Sequence, residues 1–254
     1  MIEESVKKNI IIDIPFNIDL SPYMLPKNYI HPKLERSYQI AQTEEWVVRR
    51  LELFMKYTCN SLLHQTNQDF VCLLRCTPNT EEMIHKHLMN YPKLPQNIFF
   101  TSNAQKTIDE SIRQHGHLYR TIIDSDNMFH DTFIERLHQF KHSPLTLSIL
   151  SQEGYILDDR TKQVTRIFHP SPSFYAAIYN LETYQWLYQR RLFEKHWDVI
   201  KYPYEQLGGP NYCICTHDIN VDNEFARISQ KYGIEIIEGK AKEHFFEEWH
   251  LKME

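Results

Sequence analysis

The chain has 254 residues, of which 42% are hydrophobic and 24% charged, with a formal net charge of -5. That length accommodates one large α/β domain, or two small ones, with a sizeable core, and the balance is ordinary for a globular protein. A pI near 6.3 without any basic block excludes a nucleic-acid footprint, no apolar run reaches the length of a membrane span, and the start Met1-Ile-Glu-Glu-Ser5 lacks the layout of a signal peptide.

In chain order, Asn9 to Phe16 is nearly all apolar, as buried parallel strands are. Residues 18–41, with three prolines and scattered aromatics, read as a long loop. Thr43 to His64 is the first convincing helix: Thr43 is a capping residue, two acids open the first turn, and Val47, Leu51, Phe54, Thr58 and Leu62 trace one face. Asp69 to Cys76 predicts a second strand, Thr77 to about Met89 a helix, Asn97 to Ser102 a third strand, and the stretch to about Gln114 another helix. Such alternation implies a parallel sheet covered on both faces.

The fourth strand is the centre of interest. Tyr119 to Ile123 is β-branched and apolar, then breaks into Asp124-Ser125-Asp126-Asn127, followed by a capped amphipathic helix over Asp131 to Phe140. Carboxylates at i and i+2 on a strand point the same way and repel unless a cation lies between them. A divalent ion suits them, because hard cations take carboxylate oxygens and leave positions for substrate phosphates. The carboxyl end of a parallel strand is also where open α/β sheets bind ligands. The plain alternative is a solvated acidic turn.

The second half is less regular. Leu145 to Leu150 predicts a strand, Gly154 to Phe168 a hairpin turning at Asp159 to Lys162, Phe174 to Tyr179 a strand, and Tyr184 to Trp197 a helix. Asn211 to His217 is a late strand closing on Asp218 to Asn223, followed by a helix over 224–232. A terminal helix over Ala241 to Met253 puts Phe245, Phe246 and Trp249 on one side. That aromatic side fits packing on the domain or on a second copy, and peripheral contact with the inner face of a membrane is the other option. Five cysteines, Cys59, Cys72, Cys76, Cys213 and Cys215, are an odd number without C-x-x-C spacing, which suits reduced core thiols in a cytoplasmic protein; a zinc site from Cys213, Cys215 and His217 would lack a second pair.

This layout resembles nucleotide-sugar glycosyltransferases of the GT-A type, and more narrowly the rhamnosyltransferase-like group of bacteria (family 2-like). The resemblance is carried by Trp46 with Arg50 to Phe54, Ser61-Leu62 and Gln65-Thr66 before the second strand, Ile123 to Asn127 with Phe133-Ile134, Gly154-Tyr155, and His217-Asp-Ile-Asn220 with Asn223. It spans about Asn9 to Asn223. It implies one α/β domain of GT-A type over 1–254, a mixed central sheet with helices on both faces, a nucleotide-sugar half (about 1–140) and an acceptor half (about 141–254). It implies transfer of a sugar from a nucleotide diphosphate-sugar donor to a glycan or lipid-linked acceptor, assisted by Mn or Mg, in cell-surface polysaccharide synthesis. Where similar proteins carry a base-reading aspartate after the second strand, Arg75-Cys-Thr stands here. The residue two before Asp124 is Ile122 where arginine is common, and Asn127 stands where the second acid is often doubled.

By that resemblance Asp126 contacts the metal and Asp124 holds the ribose or a metal-bound water, with His217 as a third ligand; the plain alternative for His217 is a hydrogen-bonded histidine that fixes the following turn. Asn220 touches phosphate or caps the next helix. Asn17 and Asn103 end strands one and three where the nucleoside should lie, and Ser125 lies within the acidic turn. Arg49, Arg75 and Arg120 are guanidinium forks suited to phosphate or base. An inverting enzyme needs a carboxylate base; Glu153, Asp158, Asp159 and Glu205 lie in the acceptor half, and Glu153, after a strand and before a glycine, is preferred. Two other classes compete. A phosphotransferase would carry its Asp-x-Asp at the end of the first strand, followed by Thr and Gly. An inactive nucleotide-binding scaffold would bind without transfer.

Overall fold

The computed structural model describes residues 8–17, 32–184, 196–217 and 225–253. Two sheets organise them. The larger has β1 (Ile10–Pro15), β2 (Val71–Arg75), β3 (Ile98–Thr101) and β4 (His117–Ile122) in the parallel order β4-β1-β2-β3. It is extended past β4 by antiparallel β9 (Tyr175–Asn180), then β6 (Ser148–Leu150) and β10 (Tyr204–Gln206), so the sheet is mixed. Period-2 alternation divides its residues cleanly. Ile10, Ile12 and Ile14 of β1 join one core cluster beneath α2 (Glu44–Phe54) and α4 (Pro78–Leu88), while Ile11 joins another with Leu73, Leu118 and Ile108 of α5 (Ala104–His115). Helices therefore cover both faces.

The predicted helix over Thr43 to His64 is present with one irregularity. Thr43 accepts the Trp46 N–H at 3.3 Å as N-cap, and Val47, Leu51, Phe54, Thr58 and Leu62 are all fully buried. Between α2 and α3 (Asn60–Leu63), residues Met55–Cys59 form a π-helical turn. Within the predicted loop of 18–41, Pro32–Ala41 is helix (α1), which corrects the reading there; residues 18–31 lie outside the described residues.

The second sheet, in the order β12 (Gly233–Ile237), β8 (Val164–Phe168), β7 (Glu153–Asp158), β11 (Pro210–Thr216), β5 (Met128–Phe129), was not separable from the first by sequence pattern. The hairpin β7 (Glu153–Asp158) and β8 (Val164–Phe168) is as expected. β11 (Pro210–Thr216) runs parallel to β7 and antiparallel to the two-residue β5 (Met128–Phe129) that follows the acidic turn. α6 (Phe133–Gln139) follows β5, with Thr132 rather than Asp131 at its N-cap. Beyond lie α7 (Phe225–Tyr232), β12 (Gly233–Ile237) and α8 (Gly239–Glu248). Phe245, Phe246 and Trp249 are buried against Leu157, Cys213 and Cys215, so the aromatic side of α8 covers the domain's own second sheet. The predicted helix after Tyr184 falls mostly outside the described residues; its end, His196–Lys201, is a 3-10 turn. No helix among the described residues is long and apolar enough to cross a membrane.

Candidate active site

β4 ends at Ile122, and the backbone then turns through Asp124 and Asp126. Three elements hold this turn. From β11, the Cys215 N–H donates to Asn127 Oδ1 at 3.0 Å, while Asn127 Nδ2 donates to Asp124 Oδ2 at 3.3 Å. An aspartate at 127 could not donate that second bond and would add a third like charge, so the amide suits the turn. From the π-helical turn, Thr58 Oγ1 donates to the carbonyls of Asn127 (2.7 Å) and Asp124 (3.3 Å). Such one-residue helical insertions recur at functional sites, and this one brings Thr58 onto the acidic turn. From α2, Arg50 donates through Nε to Ser125 Oγ at 2.7 Å and through NH1 to Asp126 Oδ2 at 2.8 Å.

The two acids have different surroundings. Asp126 is buried, and its Oδ2 also meets His217 Nε2 at 3.0 Å. Burial opposes its ionisation, but the Arg50 guanidinium and His217 outweigh that and hold its pKa below the usual carboxylate range. Asp124 is open to solvent yet closely surrounded by protein. Desolvation first, and the Asp126 charge second, raise its pKa to about 6 against the opposing pull of Arg50. Like charges thus share the site, with the reachable one poised near neutrality.

The other expected site residues divide. Ser125 is fully buried on Arg50, so it supports the turn and is not open to a ligand. Asn17, at the end of β1, donates to Ala41 O (3.0 Å) and Thr80 Oγ1 (2.8 Å) and accepts from Thr77 N (3.2 Å), so it ties three chain segments together. Asn103 is exposed at the carboxyl end of the edge strand β3 and precedes α5 without a side-chain cap bond. Arg75 and Arg120 converge on Asp13 of β1, which is wholly buried. Arg75 Nε reaches Oδ1 at 2.5 Å, and Arg120 Nε reaches Oδ2 at 2.8 Å. Burial raises the Asp13 pKa, but the two guanidiniums prevail and leave it below the ordinary value. Arg49 pairs with Glu52 on the helix surface at 2.9 Å. Asn220 lies outside the described residues.

Glu153 is not brought to the acidic turn. It opens β7 opposite Pro210 and pairs with Arg166 at 2.5 Å, whereas the end of β11 that reaches Asp126 lies opposite Asp158. Five residues at ~3.3 Å each put it about 16 Å away along the strand. Asp159 is held by Lys56 (2.7 Å) and Lys162 (2.8 Å), which keep it ionised against burial. Glu205 accepts from Ser143 N at 2.7 Å and Thr146 Oγ1. Asp158 is buried and accepts the Arg160 N–H at 3.0 Å. Cys213 and Cys215 pack among apolar side chains, all five thiols are buried and unpaired, and among the described residues no trio of His, Cys, Asp or Glu is grouped to hold a metal ion by itself. That arrangement replaces the zinc option with a core role.

Residues 26–206 match the family described as putative rhamnosyl transferase, well over half of the chain. The chain belongs to this family. It is therefore a glycosyltransferase, with a mixed α/β architecture. No curated protein matches it in sequence. Among solved structures, S. aureus TarS residues 1–349 in complex with UDP is 13% identical over 88% of this chain and 69% of that one, with a TM-score of 0.42. The 4-diphosphocytidyl-2C-methyl-D-erythritol synthase from Anaerococcus prevotii is 11% identical over 94% and 96%, with a TM-score of 0.36. At these values neither likeness bears on site or substrate.

For this rhamnosyl transferase family member the structure gives site roles to residues that the sequence reading left without one. Arg50 is the main one. It lies three residues after Val47 and four before Phe54, so it falls on the buried stripe of α2; an arginine there was the available signal. Asp13, a lone acid inside an apolar strand, was a second. Gln65 and Thr66 are explained by packing. Gln65 donates to Ser61 O (3.0 Å) and His130 O (2.7 Å) and accepts from Ile134 N (3.0 Å), and Thr66 donates to Glu135 at 2.7 Å, fixing α6 against α3.

Proposed function

We propose that this glycosyltransferase takes its sugar, rhamnose by the family's description, from a nucleotide diphosphate-sugar whose diphosphate lies at the Asp124–Asp126 turn, and passes it to a glycan or lipid-linked acceptor in polysaccharide synthesis. The supporting observation is the carboxylate pair at the end of β4. One acid is locked by Arg50 and His217, and the other is accessible with a pKa near 6.

The donor set fits Mn or Mg. Magnesium-type sites combine one or two carboxylates with substrate phosphates, so a complete protein-only trio is not required, and the raised Asp124 pKa marks a place where positive charge is favourable. Asp124 would supply the accessible carboxylate and Asp126 the second. When bound, the ion would neutralise charge on the departing diphosphate. The chain's own part is preorganisation. Arg50 and His217 fix Asp126, Asn127 and Thr58 fix the backbone, and no reorganisation is then needed as charge develops.

The test is a thermal-shift screen of UDP, GDP, CDP and dTDP, each with and without Mn, on wild type and on Asp124→Asn. A ligand that binds only the native state raises Tm. A metal-dependent rise with one nucleotide, absent in the variant, is expected and names the donor class. No rise with any nucleotide refutes the reading and favours a scaffold without donor binding.

A further inference from the structure

A concave site of about 300 Å³ opens between the π-helical turn, the turn joining β7 to β8, and the end of α8 with the segment after it. Its walls, residues 55–60, 157–162 and 246–252, are described throughout. The backbone around it is unusual. Lys162 (φ 57°) and His250 (φ 53°) are the two non-glycine residues with left-handed backbone among the described residues, and both line this site. Side chains meet a steric cost in that region, which persists only where surrounding contacts over-determine the position. Such contacts exist here. The Lys162 N–H donates to Asp158 O at 2.7 Å, Asn60 Nδ2 donates to His250 O at 3.0 Å, and the His250 ring stacks on His64 with centroids 3.8 Å apart. The site is therefore preformed.

Charge decides what it can hold. Lys56, Lys162 and Lys252 line it together with the carboxylate of Asp159. Lys56 and Lys162 both donate to the same oxygen, Asp159 Oδ1, at 2.7 and 2.8 Å, so two like charges are held side by side over one counter-charge. An ammonium has three N–H donors, and the carboxylate uses only some of them. Lys252 has no partner among the described residues. Two positive charges are thus in excess among the described lining residues. A phosphate monoester matches that surplus, with a charge of about −1.5 to −2 at neutral pH and three acceptor oxygens. Met55, Leu157, Phe246 and Leu251 supply an apolar part of the wall. An inorganic ion leaves that surface wet, whereas a hydrocarbon chain on the phosphate would cover it.

Two short connections join this site to the acidic turn. Lys56 and Tyr57 line it, and the next residue, Thr58, holds the carbonyls of Asp124 and Asn127. The Asp159 N–H donates to Thr216 O at 2.9 Å, and the next residue, His217, holds Asp126. An occupant that draws on Lys56 and Asp159 therefore bears on both supports of the turn.

We propose that this pocket binds a phosphate monoester carried on an apolar chain, and that its occupancy alters donor binding at the acidic turn. The coupling rests on the donor reading above; the binding does not. A soluble ester and a lipid headgroup offer the same phosphate chemistry.

The test is calorimetric titration of the full chain with hexyl phosphate and with inorganic phosphate, on wild type, Lys56→Gln and Lys252→Gln. Both substituted side chains are exposed, so both variants should fold. Wild type should bind hexyl phosphate about tenfold tighter than inorganic phosphate, from the covered chain. Each variant should weaken hexyl phosphate by about tenfold, from one lost charged contact. No binding of hexyl phosphate, equal binding of the two anions, or an affinity unchanged in either variant overturns the proposal. Flotation with phosphatidylcholine vesicles containing phosphatidic acid separates the sources. Wild-type flotation that both variants lose identifies a lipid headgroup, and its absence identifies a soluble ester. The nucleotide thermal shift is then repeated near saturation with hexyl phosphate. Nucleotide affinity should change by about threefold or more, with the reciprocal change in hexyl phosphate affinity; an unchanged affinity overturns the coupling. If no nucleotide shifts the melt while hexyl phosphate still binds, the donor reading and the coupling fail together and the phosphate site survives.

Discussion

Asp124→Asn should make the protein more stable while abolishing transfer. Raising a carboxyl from its ordinary value near 3.8 to about 6 corresponds to ~3 kcal/mol at 1.36 kcal/mol per tenfold step. Asp124 is open to water, so solvent screening reduces this to about 1 kcal/mol. The sign follows from linkage. A raised folded-state pKa means that the native protein holds the proton more tightly than the unfolded chain, so the associated stability is present at low pH and lost as pH climbs through about 6. Asparagine cannot ionise and escapes that loss. For a chain of this size 1 kcal/mol moves Tm by roughly 2–4 °C. Scanning fluorimetry from pH 4.5 to 8 should show the variant's advantage growing with pH and levelling off above about 6.5. A variant Tm at or below wild type at pH 7.5, or an advantage that does not vary with pH, refutes the account of Asp124 as a strained, function-bearing carboxylate.

Three further outcomes are expected. Asp13→Asn leaves Arg75 and Arg120 without their shared counter-charge, which should cost about 3 kcal/mol in urea unfolding; a loss under about 1 kcal/mol would show the pair to be solvated. Gly154→Ala would put Cβ 2.6 Å from the Tyr212 ring, itself stacked on Phe174, so the ring cannot easily retreat and overpacking of about 1–3 kcal/mol should follow; an unchanged midpoint would mean that the stack yields. Burial pushes the thiols of Cys59 and Cys76 up to about 12 and those of Cys72 and Cys215 well up, so native protein should react negligibly with a thiol-specific disulfide reagent, whereas denatured protein releases all five.

Much of the parallel half was legible because its signals are local. An all-apolar β1, a capped α2 with a buried stripe and an Asp-Ser-Asp break each declare themselves within a few residues. The second sheet was not, because its ladder pairs residues far apart: β5 has two residues and acquires a partner only in β11. β12 is mostly exposed on its outer edge and carries no buried alternation to read. For the site, the acids were visible but their partners were not. Arg75 and Arg120 look like phosphate forks in sequence, and only the register of β1 between β2 and β4 shows Asp13 between them. Glu153 looked promising beside a glycine; the strand direction carries it to the opposite end of β7.

The position of β11 also dictates an order of assembly. It inserts between β7 and β5, both made earlier, and its end brings Cys215 and His217 to a turn synthesised about ninety residues before. As the chain leaves the ribosome, the parallel sheet, Arg50 and the two acids can all be in place while the turn still lacks its far wall. The newborn protein would then carry an acidic turn without its histidine, and competence for transfer would arrive as one late docking event, set by β11 and not by the acids themselves.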